Sequence, residues 1–594
     1  MIINANDEKL IQEGVSEDYI LFYQLWKELT YEKTMDSYQF RVMNILSVID
    51  ELSRVIQQKL NGLVKSSHNV QECRQEAMDI IRKDPVMERR FSAIRGRMLS
   101  HLNAECESVA QLKALLYRLE IYYADLSETY LPNLIECIEE DVQTHNYKDL
   151  VLETNSLVSI CVTTGWSSKA LYGIVDYLKN RTNPWGTFKD RLLNNAVDEY
   201  NVIIPLKVKL ITKVRYKNGD PIDRVIDSLK IADITVLSKE EIQQEYPEIA
   251  EPLGNLFMVV ASSAHDYYSA SHEAIAKCGG VLNVLSFYNV IEAWSVREIS
   301  WFVYNKNNKS YRNMISKMLY GTYDYMEAAS RHFKDSIAIQ SRGESQIGQR
   351  LAATYSYANM GKASYSQEEK YITTWVALES LCRTDVFDNI ISNVLETVPP
   401  ALCRRYIHIL VRNFYEDCCR CNVQFDGIIS DIVVIHSRNK TVRNMIEAYN
   451  DSVKYNYLLT QCAKESRLLK YRCEELHDIL TVPSKMFDKV ENHYQNVRRQ
   501  LSRLYRIRNE IAHSATNSTY IVRYIEHLDD YLASFVSEIV LCTKEKNLER
   551  IEHVLEITKD NYNQFKEFAA ISRKKQGVVP QLCDFMKTGK INLI

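Results

Sequence analysis

Near the C-terminus stands Arg508-Asn509-Glu510-Ile511-Ala512-His513, which puts a guanidinium, an amide and an imidazole within six residues. Those groups suffice to cut a phosphodiester without a metal. A histidine titrates near neutrality, so it can take the proton of a 2′-hydroxyl or give one to a leaving oxygen. An arginine can hold two non-bridging oxygens as charge builds on phosphorus, and Asn509 can orient the phosphate or the imidazole. Spacing alone carries little, because Arg95/His101, Arg472/His477 and Arg506/His513 repeat it. Three features set Arg508, Asn509 and His513 apart as catalytic candidates. The amide directly follows the arginine. The hexapeptide ends a helical pattern, ahead of the polar stretch Ser514–Thr519. It also closes the most basic segment of the chain.

Between residues 484 and 525 eight Lys/Arg stand against three Asp/Glu, in a protein of net charge −4. Arg499, Arg503 and Arg506 repeat at i, i+4, i+7 and so share one helix face. That row suits an RNA backbone; charge alone suits a solvated face salt-bridged to neighbouring helices equally well. One imidazole cannot easily be base and acid at once. A second copy from a dimer would supply the other. Five residues turn an ideal helix by about 140°, so the reading expects a frayed helix end or a site shared across a two-fold axis.

The elements that must position these residues are mostly helices. With 17 Gly and 11 Pro in 594 residues, breaks are few. Residues 1–198 read as a helical region with apolar stripes over 38–63 and 112–138. Residues 199–269 change character. Leu206, Val208, Leu210, Thr212 and Val214 alternate with basic residues as in a half-buried strand, Arg224–Leu237 looks strand-like, Ser238–Glu241 is a capping box, and Leu256–Ala261 is a buried strand. Residues 270–366 return to helix and end in a polar connector. Residues 367–545 form a helical domain with helices near 367–384, 399–421, 427–449, 454–480, 484–512 and 520–543, Pro399-Pro400 opening the second. Residues 546–594 are one more helix and a tail. The fold class is mainly α and multidomain, with a small β-containing module in the middle.

Other chemistry is weakly represented. There is no P-loop, G-x-G-x-x-G or G-x-S-x-G motif. The group Cys403, His408, Cys418, Cys419, Cys421 lacks paired C-x2-C spacing and reads as helix packing. His265-Asp266 with His272-Glu273 has no established ligand spacing and reads as polar surface. Trp294, Trp301 and Tyr304 read as core rather than as a base-stacking platform. No metal or cofactor is expected. The N-terminus lacks a signal-peptide pattern and no apolar run is long enough to span a bilayer, so no membrane partner and a cytoplasmic location are expected, with fourteen reduced Cys.

The stretch Leu504–His513 resembles the signature of the HEPN superfamily, in which Arg is followed by a polar residue and His comes after a gap of four to six. Upstream, Tyr371-Ile-Thr-Thr-Trp375-Val-Ala-Leu378-Glu379-Ser-Leu381 is similar to the first helix of ApeA-like HEPN domains, a bacterial anti-phage group. The likeness covers roughly 367–545, with a Ser rather than the frequent Gly after His513. It implies a helical bundle that dimerises and places both Arg/His motifs in one cleft. It also implies metal-independent cleavage of RNA, with tRNA or mRNA as targets in defence members, and growth arrest as the outcome. Arg508, Asn509 and His513 carry over as catalytic and Glu379 as a supporting residue. The N-terminal region would then sense a phage-derived trigger or restrain the nuclease. The alternative is a non-catalytic HEPN-type module that binds a nucleotide, RNA or a protein.

Overall fold

The computed structural model describes residues 6–31, 43–63, 68–179, 182–194, 197–211, 221–249, 254–292, 294, 299–315, 332–341, 345–364, 366–385, 387, 389–514, 521–572 and 577–588; among these, the side chains of 221, 363, 513–514, 521–523 and 587–588 lie outside the description. The chain is mainly α and multidomain.

Among the described residues, eleven α-helices build the N-terminal region: α1 (Asp7–Gln12), α2 (Ile20–Thr30), α3 (Ile45–Leu60), α4 (His68–Lys83), α5 (Pro85–Arg89), α6 (Ser92–Asn103), α7 (Val109–Ser127), α8 (Tyr130–Thr144), α9 (Tyr147–Thr163), α10 (Ser168–Ile174) and α11 (Pro184–Leu193). The predicted stripes hold in part: residues 38–42 lie outside the described residues, 112–138 divides between α7 and α8, and Ile121 is exposed. Val48, Ile49, Leu52, Val55 and Ile56 of α3 and Leu112, Leu115, Leu116 and Leu119 of α7 enter one core. Asn44 caps α3 through Ser47 N–H and receives the Ser47 hydroxyl in return.

The middle module is a five-stranded antiparallel sheet of β1 (Asp198–Pro205), β2 (Thr235–Ser238), β3 (Leu256–Ala264), β4 (Ser300–Asn305) and β5 (Ser310–Ile315), in the order β2-β3-β1-β4-β5. Helices α12 (Pro221–Ile231) and α14 (Tyr267–Phe287) supply the core on one face, and α13 (Lys239–Glu245) the smaller core on the other. The sheet therefore reaches 315, where the sequence reading returns to helix after 269. Trp301–Tyr304 is β-prone, and Phe302–Tyr304 pairs with both β1 and β5. The strand expected over 206–214 falls instead on 198–205. As the central strand, β1 is buried on both faces and reads as the run Val202–Ile204 rather than as an alternation. Residues 212–220 of that expectation lie outside the described residues. Arg224–Leu237 is mostly α12, because Val225 and Leu229 are buried at i, i+4. The capping box at Ser238/Glu241 opens α13 as predicted.

Twelve α-helices follow among the described residues: α15 (Phe333–Gln340), α16 (Gln346–Ala363), α17 (Gln367–Cys382), α18 (Ile390–Cys403), α19 (Tyr406–Arg420), α20 (Arg438–Tyr449), α21 (Ser452–Glu465), α22 (Arg467–Thr481), α23 (Pro483–Ser514), α24 (Ile521–Lys546), α25 (Ile551–Ile571) and α26 (Val579–Thr588). They form two cores rather than one bundle ending at 545. The spine is α23, 32 residues long and so about 48 Å. Its Met486 and Val490 enter a core with α19–α22 and α26, while Val497, Leu501, Leu504 and Ile507 enter a second with α16–α18 and α24. Helix α25 is shared by both cores, so 546–594 is integral to the body. Pro399-Pro400 lies inside α18 rather than opening a helix. No helix among the described residues is long and apolar enough to cross a membrane.

Candidate functional site

The hexapeptide closes α23. The backbone stays helical through Ser514, so the frayed end expected at His513 does not occur, and positions 508 and 513 lie about 140° apart around the axis. The side chain of His513 lies outside the described residues. Arg508 is half-buried, and its Nη1 donates to Asn509 Oδ1 at 3.2 Å. Its Nε is buried and, among the described residues, has no hydrogen-bond partner. A guanidinium N–H is a charge-assisted donor suited to a carboxylate or phosphate oxygen.

The first helix of the expected domain does pack on this end of α23. The Tyr371 hydroxyl donates to the Leu504 carbonyl at 2.6 Å, and the Trp375 and Tyr505 rings lie 5.7 Å apart. Burial pushes the Tyr371 phenol well above its usual range, so it is a structural tie rather than a proton carrier. Among the described residues, no hydrogen bond or ion pair joins Glu379 to Arg508, Asn509 or Glu510. Glu379 accepts from the Trp375 indole and lies two turns along α17 from Tyr371, about 12 Å away.

The arginine row is on one face, as its spacing requires, but that face is covered. Arg503 is 3% exposed and Arg506 7%. Arg503 Nε and Nη2 bond Glu51 Oε2 and Glu76 Oε2, each at 2.8 Å, and its Nη1 bonds Gln500 Oε1 at 2.8 Å. Arg506 Nη2 bonds Glu51 Oε1 at 2.5 Å. Arg499 pairs with Asp79 at 2.5 Å, and Arg498 with Glu396 at 3.0 Å and Glu72 at 3.8 Å. The expected RNA-facing stripe at Arg499, Arg503 and Arg506 is thus, in this conformation, a set of ion pairs with α3 and α4. Burial works to raise the Glu51 carboxyl, but the two guanidiniums outweigh it and hold it below the usual carboxylate range.

The same helix α3 reaches the motif itself. Gln58 Nε2 donates to Glu510 Oε1 at 2.5 Å, and Arg54 Nη1 stands 4.0 Å from Glu510 Oε2. A cavity of about 20 Å³, lined by residues including Glu51, Arg54, Arg503, Glu510 and Tyr524, remains between α3 and α23. It has room for a water and not for a nucleotide. Sequence reasoning missed this acidic cover. Its signal was present, because Glu72, Glu76 and Asp79 repeat at i, i+4, i+7, the spacing of Arg499, Arg503 and Arg506.

Elsewhere the chemistry is structural. His265 and Asp266 are buried, not surface, and they join the N-terminal region to the sheet. Asp266 accepts from Ser167 N–H and hydroxyl and from Tyr268 and Ser269 N–H, while His265 stacks on Trp166 at 5.0 Å. Cys403, Cys418 and Cys421 are buried packing residues and Cys419 is exposed. Trp301 and Trp294 are buried. No group of three or more His, Cys, Asp or Glu able to hold a metal occurs among the described residues.

No family model matches the chain, and neither a curated protein nor a solved structure matches it.

Proposed function

We propose that the chain is a HEPN-type, metal-independent endoribonuclease that acts in the bacterial cytoplasm as a homodimer and serves anti-phage defence by abortive infection. The observation that carries this reading is a contrast within α23. Arg498, Arg499, Arg503 and Arg506 are each paired with a carboxylate, whereas among the described residues Arg508 pairs with no carboxylate, bonds Asn509 and has a buried Nε without a hydrogen-bond partner. In the proposed reaction the 2′-oxygen attacks phosphorus, and the bond from phosphorus to the 5′-oxygen breaks. The products are a 2′,3′-cyclic phosphate and a 5′-hydroxyl. One His513 removes the 2′-hydroxyl proton and the His513 of a second copy protonates the 5′-oxygen. Arg508 holds the non-bridging oxygens, and Asn509 fixes the guanidinium. The substrate is cellular RNA, with tRNA the first class to examine, and a phage-derived trigger acts on the N-terminal region.

The test is cleavage by purified protein, with the RNA ends sequenced. His513→Ala and Arg508→Ala should each lower the rate by about 10²–10⁴ while fold and oligomer stay intact. Unchanged cleavage by His513→Ala rules the mechanism out. The unbroken helix through Ser514, which separates positions 508 and 513 around the axis, favours a second reading. In that reading Arg508 grips a phosphate without catalysis, and RNA is bound but never cut.

A further inference from the structure

The arginine row and its cover match each other too closely in spacing to be read as surface pairing alone. Three carboxylates of α4, at 72, 76 and 79, and Glu51 of α3 meet four guanidiniums of α23, at 498, 499, 503 and 506. A carboxylate offers these guanidiniums the same kind of anionic oxygen that a phosphate does. The contact is also ionic in kind. Among the described residues, no buried apolar side chain of α23 belongs to the N-terminal core. Contacts of this polar type between domains open more readily than apolar ones. The cover extends to the motif through Gln58 and Arg54 on Glu510, and the space left is that of a single water.

We infer that the guanidinium face of α23 is an RNA-backbone seat, held shut by the carboxylates of α3 and α4 acting as an internal substitute for phosphate. The inference rests on the proposed RNA chemistry for its ligand class. RNA reaches Arg508 after α3 and α4 leave, and any event in the N-terminal region that moves these two helices raises activity. Opening frees the row and the approach to the hexapeptide together, because one face of α3 covers both.

The test measures binding of a labelled single-stranded RNA to the full chain, with His513→Ala as background so that the probe survives, and cleavage in parallel with His513 intact. Glu51→Gln with Glu76→Gln should tighten binding about tenfold and steepen the logarithmic salt dependence by about 1–2, as two further phosphates are neutralised. Arg503→Gln with Arg506→Gln breaks the same ion pairs but removes the seat, so binding should not tighten. Glu72→Gln with Asp79→Asn touches only partly exposed groups, leaves the buried pairs in place and should tighten binding about twofold to threefold. That peripheral pair decides the matter if the buried pair impairs folding. Equal RNA affinity in the acid-neutralised and parent proteins, both folded, overturns the seat, as does equal tightening in the arginine variants. Tighter binding with no cleavage by any His513-containing protein leaves the seat standing and removes the nuclease. Cleavage without tighter binding does the reverse.

Discussion

The N-terminal helices meet the C-terminal half at two places built on opposite principles. At α2 and α22 the joint is apolar, capped and ionic at once. Leu468 joins the N-terminal core. Asp7 and Gln24 accept the first backbone N–H groups of α22, from Arg467 at 3.1 Å and Leu468 at 3.0 Å. Arg472 is 3% exposed and bonds Glu28 and Glu475 at 2.5 and 2.7 Å. At α3, α4 and α23 charge meets charge, and among the described residues there is no shared core cluster. The first joint cannot separate without exposing Leu468 and orphaning a helix terminus. The second separates into two faces that water and counterions, or RNA, can satisfy. One contact is an anchor and the other is a gate.

The largest effect should come from breaking the anchor. Arg472→Ala leaves Glu28 buried without its cation and Glu475 with Lys489 alone. Burial opposes the charge on Arg472, yet those two carboxylates outweigh it and raise its pKa. Loss of about 3–5 kcal/mol is expected, measured by denaturant unfolding. Glu51→Gln should cost clearly less by the same measurement, although it too removes a buried charge from between two arginines. The gate can swing open and hydrate Arg503 and Arg506, so the penalty is capped at the free energy of opening. Equal losses in the two variants would make both joints anchors.

Acid should separate the two joints next. Glu51 is depressed in the folded protein, so its stabilisation is complete above the unfolded glutamate value of about 4.3 and is lost as pH falls through its lower folded value. At the anchor the signs are mixed. Glu475 is depressed to about 2: burial would raise it, but Lys489 and Arg472 prevail. Burial raises Asp7, so proton uptake there favours the folded form as pH falls. Below about pH 4, amide exchange should quicken in α3 and α4 before it quickens in the first turn of α22.

The contrast also explains what the sequence disclosed. Helices with one buried stripe, such as α3 and α7, follow from period 3.6, and the arginine face of α23 follows from i, i+4, i+7. What covers that face does not follow. Glu51 and Arg503 are more than 400 residues apart in the chain, and each row separately has the pattern of a solvated surface. The central strand was hidden for a related reason. Burial on both faces erased from Val202–Ile204 the alternation that marks a strand. Arg508 and Asn509 were legible as adjacent candidates, but not the bond that Arg508 donates to Asn509. Glu379 was carried by resemblance alone, and the bond it makes is to the Trp375 indole.

The smallest effect is the one that best defines how the gate acts. Gln58→Ala removes a single bond to the half-buried Glu510, which is worth about 0.5–1.5 kcal/mol and should barely move the unfolding curve. If α3 blocks the site, freeing Glu510 favours the open state and RNA cleavage should rise about twofold to tenfold, since 1.4 kcal/mol is a factor of ten in an equilibrium. If α3 instead positions Arg508 and Asn509 by holding their neighbour, the same substitution lowers the rate while binding stays constant. Arg54→Ala removes the second, longer contact to Glu510 and should move cleavage in the same direction by less. The direction of change across these two variants therefore tells a gate from a brace, with no change in fold to confuse the reading.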